Sequence, residues 1–320
     1  MEKDRNHEIV VAIRAISEEI RKSNEALASA VLKLQKLVDQ MVNSGPRKPE
    51  PVSKILQESV LPEKATADQP EHELSTREIP ATVSTGNEKV DELLIGGIRT
   101  GSNCILIGPP FSGKYILAWN FVATSLREGV PVIVITTDKD VKDIKYEISK
   151  IYRDVDLAEE NGLLRFVDVY SRTIQGQPSS KFAVVIDNIV NVSSLIKNVD
   201  LISADMVAKK GYYRLLFSSL TSYMTELDEK ILLKFIQQFV QKRRGENGTS
   251  FYLLEGGLFD QKLTEAVVYT MDGSIEFKNE GSKFFLRVSG LGSARSRDWV
   301  ELFMSETSFD LGSFTLEKIR

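Results

Sequence analysis

Residues 108–114 have the composition and spacing of a loop that binds phosphate groups. In order they are Gly108, Pro109, Pro110, Phe111, Ser112, Gly113 and Lys114, and Tyr115 comes next. This is the G-x-x-x-x-G-K pattern, in which backbone amides close around a phosphate and the lysine reaches its outer oxygens. Because the amides at a helix N-terminus attract anions, the pattern predicts a polyphosphate site if a helix begins here.

A strand before the loop and a helix after it must hold these residues in place. Apolar periodicity predicts a strand over residues 103–107 and a helix over residues 115–127. Further strands are predicted over residues 132–136, 163–167, 213–217 and 249–254, and further helices over residues 141–152, 192–208 and 226–243. This alternation predicts an α/β fold, a largely parallel sheet sandwiched by helices.

After Tyr252 the sequence pattern becomes typical of antiparallel hairpins. Asp272 and Gly273 stand between two apolar runs, as in a tight turn, and residues 283–288 alternate between apolar and polar. We therefore expect antiparallel edge strands at the C-terminal end of the domain.

The N-terminal region is predicted to form a long helix outside this domain. Apolar residues recur at steps of four and three from Ile9 to Met41, with Ser23 and Ala30 as weak positions. This narrow stripe is typical of a coiled coil and favours self-association or a partner helix. We assign residues 5–43 to the coiled-coil helix, 44–82 to a flexible linker and 83–320 to the folded domain.

Composition and charge argue against several classes of function. The chain has 320 residues, a net charge of -4 and a pI near 5.5, so no general attraction draws it to nucleic acid or anionic lipid. It has no apolar run long enough to cross a membrane and a single cysteine, Cys104, which favours the cytoplasm. The two histidines, His7 and His72, lie in the arm and the linker, so we expect no histidine metal site.

The folded domain resembles the archaeal KaiC-like and GvpD-like branch of the RecA superfamily. Residues 84–101 read STGNEKVDELLIGGIRTG, which is similar to that family's lead-in, STGxxxLDELLxGGIPxGS. The likeness continues through the phosphate loop, residues 132–137 and residues 213–221 to the pair Asp272 and Gly273. It implies a RecA-like P-loop domain that binds ATP or ADP.

The sequence departs from the family at the positions that hold magnesium. The resemblance places a Thr or Ser ligand directly after the loop lysine, where this chain has Tyr115. At the Walker B position, where the resemblance places an aspartate that orients the metal, this chain has Ser218 in the segment LFSSLT. Asp187, at the end of the segment FAVVID, is the alternative Walker B residue. With no other metal ligand assigned, we expect weak magnesium binding or none.

The residues that assist hydrolysis also differ. In the family a glutamate in a TEE-like segment orients the attacking water, and here Asp138 is the candidate, followed by Lys139. The Lys-x-Arg pair that KaiC relatives present to a neighbour's phosphate is missing from residues 288–290. Arg295 and Arg297, a few residues downstream, are its candidate substitutes.

These features together indicate a nucleotide-binding regulatory or scaffolding protein, a pseudo-ATPase whose hydrolysis is slow or lost. Residues 9–41 would form a homo-oligomer or recruit a protein partner. Two alternatives stay open: a slow, active ATPase that uses Asp187 or Asp138, and a recombination mediator that binds single-stranded DNA. The acidic pI and the lack of an evident basic groove argue against DNA binding.

Overall fold

The computed structural model describes residues 79–313 of the chain. The predicted coiled-coil helix, residues 44–78 of the predicted linker and residues 314–320 lie outside this range. The domain begins before residue 83, because Thr82 already forms a strand and the Thr100 amide donates to the carbonyl of Ala81. The last predicted linker residues therefore belong to the domain.

Strands and helices alternate through most of the described range. The strands are β1 (Thr82–Val83), β2 (Ile98–Arg99), β3 (Asn103–Gly108), β4 (Val132–Thr136), β5 (Leu164–Asp168), β6 (Val184–Val185), β7 (Tyr213–Ser218), β8 (Gly248–Glu255), β9 (Gly273–Glu280), β10 (Lys283–Gly290), β11 (Val300–Met304) and β12 (Phe309–Leu311). The helices are α1 (Glu88–Leu93), α2 (Lys114–Arg127), α3 (Val141–Ser149), α4 (Val155–Glu160), α5 (Tyr170–Thr173), α6 (Val192–Lys210), α7 (Leu220–Glu226), α8 (Glu229–Gly245) and α9 (Gln261–Tyr269). Within this range, none of the helices has the length and apolar character needed to cross a membrane.

Ten of the described strands form one sheet in the order β12-β11-β10-β9-β3-β8-β7-β4-β5-β6. The strands from β9 to β6 run parallel, whereas β9 to β12 pair in the antiparallel direction. The predicted α/β fold, with antiparallel edge strands near the C-terminal end, is confirmed. β3, which leads into the phosphate loop, lies inside the sheet between β8 and β9.

Helices cover both faces of the sheet because successive side chains of a strand point to opposite sides. In β4, Val132 and Val134 belong to one apolar cluster, which also contains residues of α1, α2 and α3. Ile133 and Ile135 belong to the other cluster, with residues of α6, α7, α8 and α9. A strand buried on both faces reads as a continuous apolar run, which is why β4 could be predicted over residues 132–136.

The predicted hairpin turn at Asp272 and Gly273 is wrong. Asp272 lies between α9, a helix that the sequence pattern did not predict, and β9. Gly273 is the first residue of β9 and pairs in parallel with Cys104 of β3. The hairpin lies between β9 and β10, where Glu280 pairs with Lys283. A Cβ added to Gly273 would lie 2.3 Å from the carbonyl oxygen of Ser289, so this glycine permits close strand packing rather than a turn.

The helix predicted over residues 226–243 is present as α8, Glu229–Gly245, and it begins three residues later than predicted because α7 ends at Glu226. α7 ends at Glu226, and Leu227 is extended with φ -103° and ψ 144°. Asp228 then caps α8 by accepting a hydrogen bond from the Lys230 amide. An aspartate that satisfies a first-turn amide starts a new helix at this point.

Candidate functional site

The phosphate loop lies at the edge of the sheet where several parallel strands end. It connects the end of β3 to the start of α2, and Glu255 at the end of β8 lies opposite Gly108 in the sheet register. The next two strands in the sheet are β7, which ends at Ser218, and β4, which ends at Thr136, shortly before Asp138. Because neighbouring parallel strands end on the same side, these side chains are brought close to Lys114.

The loop has the backbone shape of a phosphate cradle. Gly113 has φ 97°, in the left-handed region where glycine is unstrained. Gly108 has no room for a side chain, since an added Cβ would lie 2.7 Å from the Cβ of Phe277. Ser112 is fully buried, and its Oγ has no hydrogen-bond partner among the described residues. A phosphate in the loop would satisfy this hydroxyl.

The tip of the loop is formed by Pro110 and Phe111. Phe111 has φ 60°, an uncommon conformation for an aromatic residue, and its side chain is 90% exposed. Its ring is therefore not part of the apolar core, and it lies at the rim of the cleft described below.

Lys114 is held inside the loop by two acceptors. Its Nζ donates to the Pro109 carbonyl oxygen at 2.8 Å and to Oε2 of Glu255 at 2.9 Å, and its side chain is 1% exposed. Burial lowers the pKa of Lys114, while the hydrogen bond and the charge of Glu255 oppose that shift. The ammonium thus faces the loop with a carboxylate as its ion-pair partner.

Asp138 connects the first residue after the loop lysine to the end of β7. Oδ2 accepts a hydrogen bond from the Tyr115 phenol at 2.7 Å, and Oδ1 accepts one from the Ser218 hydroxyl at 3.1 Å. Burial and then the negative charge of Asp138 raise the pKa of Tyr115, so the phenol stays protonated and acts as a donor. Each carboxylate oxygen therefore accepts one hydrogen bond from a hydroxyl group of the protein.

A cleft of about 810 Å³ opens beside the loop. Its apolar lining comes from α2, α3 and β11, and includes Tyr115, Trp119, Tyr146 and Met304. Lys139 and Asp143 add a cation and an acid to the same cleft. Concave sites of this size, mostly apolar with a few polar groups, are typical of small-molecule binding.

Comparison with known proteins decides the family. The family model for the KaiC ATPase matches residues 83–288, which is more than half of the chain. The chain belongs to the KaiC ATPase family. The predicted relationship is confirmed, and the family's domain is a nucleotide-binding P-loop domain.

Similar proteins come mainly from archaea. A UPF0273 protein of Methanopyrus kandleri is 30% identical over 128 residues, which are 40% of this chain and 50% of that protein. A UPF0273 protein of Aeropyrum pernix is 28% identical over 128 residues, covering 40% of this chain and 51% of that protein. The chain thus spans about half the length of the curated relatives it matches.

A solved structure shares the fold. It is that of a KaiC-like protein of Pyrococcus horikoshii, which superposes with a TM-score of 0.58 and is 18% identical. The match covers 72% of this chain and 99% of that one. The likeness supports the RecA-like architecture of the sheet and its helices.

The residues at the KaiC-family magnesium positions do not fit the metal. Tyr115 replaces the small hydroxyl ligand, and its phenol bonds to Asp138. Ser218 has no charge, and its hydroxyl also bonds to Asp138. Hard cations such as magnesium prefer carboxylate and water oxygens in octahedral geometry. Nowhere in residues 79–313 do three or more His, Cys, Asp or Glu side chains form a group able to hold a metal ion.

The structure does not bring Asp187 to the phosphate loop. It follows β6, the outer strand of the sheet, and β4 and β5 lie between β6 and β7. Its side chain is 92% exposed, and an oxygen lies 3.5 Å from Nε of Arg172. Ser218, by contrast, ends a strand beside β8 and contacts Asp138.

Arg295 and Arg297 both contact the main chain of their own domain. Nε of Arg295 donates to the Glu92 carbonyl oxygen at 2.9 Å. The guanidinium of Arg297 donates to the carbonyl oxygens of Gly290 and Gly292 at 3.3 and 2.8 Å. In this arrangement both arginines stabilise loops of the domain itself.

Glu255 is the site residue that sequence reasoning missed. It directly follows the apolar run at residues 249–254, so an acid at the end of a predicted buried strand was the available signal. This acid can be assigned to the site only when the strand order is known. β8 is adjacent to β3, and this places Glu255 beside Lys114.

Proposed function

We propose that this chain is an ATP- or ADP-binding regulatory or scaffolding protein of the KaiC type in which hydrolysis is lost or very slow. One observation carries the proposal: the two oxygens of Asp138 accept hydrogen bonds from Tyr115 and Ser218. In the family pattern those two positions supply magnesium ligands, and the Asp138 position supplies the residue that orients water. Here the three side chains bond to one another instead.

Nucleotide binding is supported by the groups that remain. These groups are the loop amides, the ammonium of Lys114 and the hydroxyl of Ser112, which has no partner among the described residues, and all are donors suited to phosphate oxygens. The cleft beside the loop has the volume and the aromatic lining to accept a nucleoside. These contacts do not require a metal, so we expect binding to depend only weakly on magnesium.

Loss of hydrolysis follows from the same side chains. Transfer of a phosphoryl group depends on charge stabilisation by magnesium and on a positioned base. Tyr115 and Ser218 offer no charged ligand, and both oxygens of Asp138 already accept hydrogen bonds from protein hydroxyls that compete with a water for them. Occupancy of the site, rather than turnover, would then be the signal that a partner reads.

A slow ATPase is the second candidate. It is favoured by the position of Asp138, a half-buried carboxylate at the end of β4 and close to the loop lysine. If Asp138 acts as the base, phosphate release requires both Lys114 and Asp138. Asp138→Asn would abolish that release and leave ATP binding in place.

The oligomer or partner contact is assigned to the heptad stripe over residues 9–41. In this proposal the arm supplies the assembly and the domain supplies the nucleotide response. The arm lies outside the described residues, and its role stays a prediction from the sequence.

Calorimetric titration of ATP and ADP, with and without magnesium, tests the proposal. We expect binding that Lys114→Ala weakens by about 100-fold, since a lost charged hydrogen bond to phosphate costs about 2–3 kcal/mol. Lys209→Ala is the matched control, because Lys209 is an exposed lysine of α6 paired with Asp205. Equal loss in both variants, or no binding by the wild-type protein, would refute a nucleotide site in the loop.

A further inference from the structure

The only ion-pair partner of Lys114 among the described residues is Glu255, an acid at the end of β8. Glu255 places Oε2 2.9 Å from the lysine Nζ, and the two side chains are 1% and 18% exposed. Glu255 in turn pairs with no other cation in the described part of the chain. It also lines the cleft together with Ser112 and Gly113 of the loop.

The main chain at Glu255 is fixed against the loop. Its amide donates to Oγ1 of Thr221 at 3.1 Å, and the next amide, of Gly256, donates to the Gly108 carbonyl oxygen at 2.9 Å. A Cβ added to Gly256 would lie 3.3 Å from main-chain atoms of Gly108. The main chain of Glu255 is therefore held beside the loop, and rotation of the Glu255 or the Lys114 side chain would separate the pair.

A phosphate in the loop and the Glu255 carboxylate need the same ammonium group. Both are anions, so they repel each other, and the repulsion is stronger beside the partly buried Glu255 side chain than between two fully exposed charges. The nearest additional cation in the cleft, Lys139, has its Nζ 5.0 Å from the centre of the Tyr115 ring and is not paired with Glu255. The lysine alone cannot neutralise both anions.

We propose that Glu255 is a specificity-determining residue that competes with phosphate for Lys114. A ligand must form enough contacts with the loop to displace the carboxylate. A di- or triphosphate has oxygens for the amides, Ser112 and the lysine together, whereas a monophosphate has too few. The loop thereby selects nucleoside di- and triphosphates over nucleoside monophosphates and inorganic phosphate.

This inference rests on the proposed nucleotide site and is tested by titrating ATP, ADP, AMP and inorganic phosphate into the full chain and three variants. Glu255→Gln keeps the shape and removes the charge, and Glu255→Ala serves if the glutamine variant does not fold. Glu229→Gln is the matched control, since Glu229 is an exposed acid at the start of α8 and is not among the residues that line the cleft.

We expect Glu255→Gln to bind ATP at least about tenfold more tightly than the wild-type protein and to bind AMP measurably. Glu229→Gln should change the ATP dissociation constant by less than about threefold, because solvent and salt screen an exposed charge outside the cleft. If both Glu255 variants bind ATP with the same affinity as the wild-type protein or more weakly, the proposed competition is wrong. Absence of binding in every protein would overturn the proposed nucleotide site as well, so the two failures are distinguishable.

Discussion

The phenol of Tyr115 donates a hydrogen bond of 2.7 Å to the carboxylate of Asp138. Tyr115 lies in the first turn of α2, directly after the loop lysine, and Asp138 lies in the loop between β4 and α3, so the bond connects that turn to that loop. In the KaiC pattern the same two positions hold a metal ligand and a water-orienting acid. In this structure the side chains at those two positions contact each other.

The first prediction concerns the strength of this contact. Tyr115→Phe should lower the free energy of unfolding by about 1–2 kcal/mol, because a partly buried hydrogen bond to a carboxylate is lost. Urea unfolding followed by circular dichroism measures it. Tyr146→Phe is the control, since Tyr146 is 64% exposed. Equal stability of Tyr115→Phe and the wild-type protein would mean that the bond to Asp138 contributes nothing.

The second prediction is a gain of metal dependence. The double variant Tyr115→Thr, Ser218→Asp places a small hydroxyl and a carboxylate at the two family positions. We expect magnesium to tighten its ATP binding by about tenfold or more and to permit phosphate release, since metal coordination supplies the missing charge stabilisation. Calorimetry with and without magnesium measures the change.

Each single variant is the control for this repair. Tyr115→Thr alone should gain little, because Ser218 still offers no charge to the metal. If the double variant binds ATP with the same affinity in the presence and absence of magnesium, Ser218 is not the Walker B position.

The third prediction concerns Tyr223, whose hydroxyl is buried and has no partner among the described residues. Tyr223→Phe should leave the free energy of unfolding at neutral pH unchanged or raise it by up to about 1 kcal/mol, because an unsatisfied polar group is removed. Urea unfolding at neutral pH tests this. A loss of more than about 1 kcal/mol would contradict the unpartnered hydroxyl.

The same residue predicts a pH dependence. Burial raises the pKa of Tyr223, so the folded protein keeps this proton above about pH 10, where the unfolded chain loses it. The unfolded state then binds fewer protons, and stability falls as the pH rises beyond that value. Tyr223→Phe should lose less stability than the wild-type protein between neutral and alkaline pH. If the wild-type protein and Tyr223→Phe lose the same free energy of unfolding, the Tyr223 phenol is exposed to water.

The fourth prediction concerns the arm. If residues 9–41 form a coiled coil, the full chain sediments as an oligomer at micromolar concentration, and Ile16→Asp with Leu27→Asp reduces the mass toward that of a monomer. Glu18→Ala is the control, since Glu18 lies outside the apolar stripe. A monomeric mass for the unaltered chain would refute self-association through the arm.

The central strands could be predicted because a strand that is buried on both faces has a continuous run of apolar residues. β4 was predicted over the residues that form it, and the loop at residues 108–114 was predicted from glycine and lysine spacing. The sequence pattern predicts the antiparallel strands and their turns less clearly. Gly273 was interpreted as a turn residue, whereas it lacks a side chain because Ser289 of the neighbouring strand is too close.

The contacts within the site could not be predicted, because they depend on strand order and side-chain rotamers. Nothing local to Glu255 indicates that its strand lies next to β3, and nothing local to Tyr115 indicates that its phenol reaches Asp138. Sequence reasoning identified Tyr115 and Ser218 as departures from the family, but not that both side chains bond to the same carboxylate. Contacts between residues far apart in the sequence depend on the three-dimensional arrangement of the strands, which local sequence patterns do not specify.

The most direct test of the central claim is single-turnover phosphate release with the full chain in excess over ATP, in the presence of magnesium. The account predicts that ATP binds and is recovered intact after hours, with release no faster than in Lys114→Ala. Release of phosphate that requires Lys114 would contradict it, and would show that the Tyr115, Asp138 and Ser218 group still supports hydrolysis.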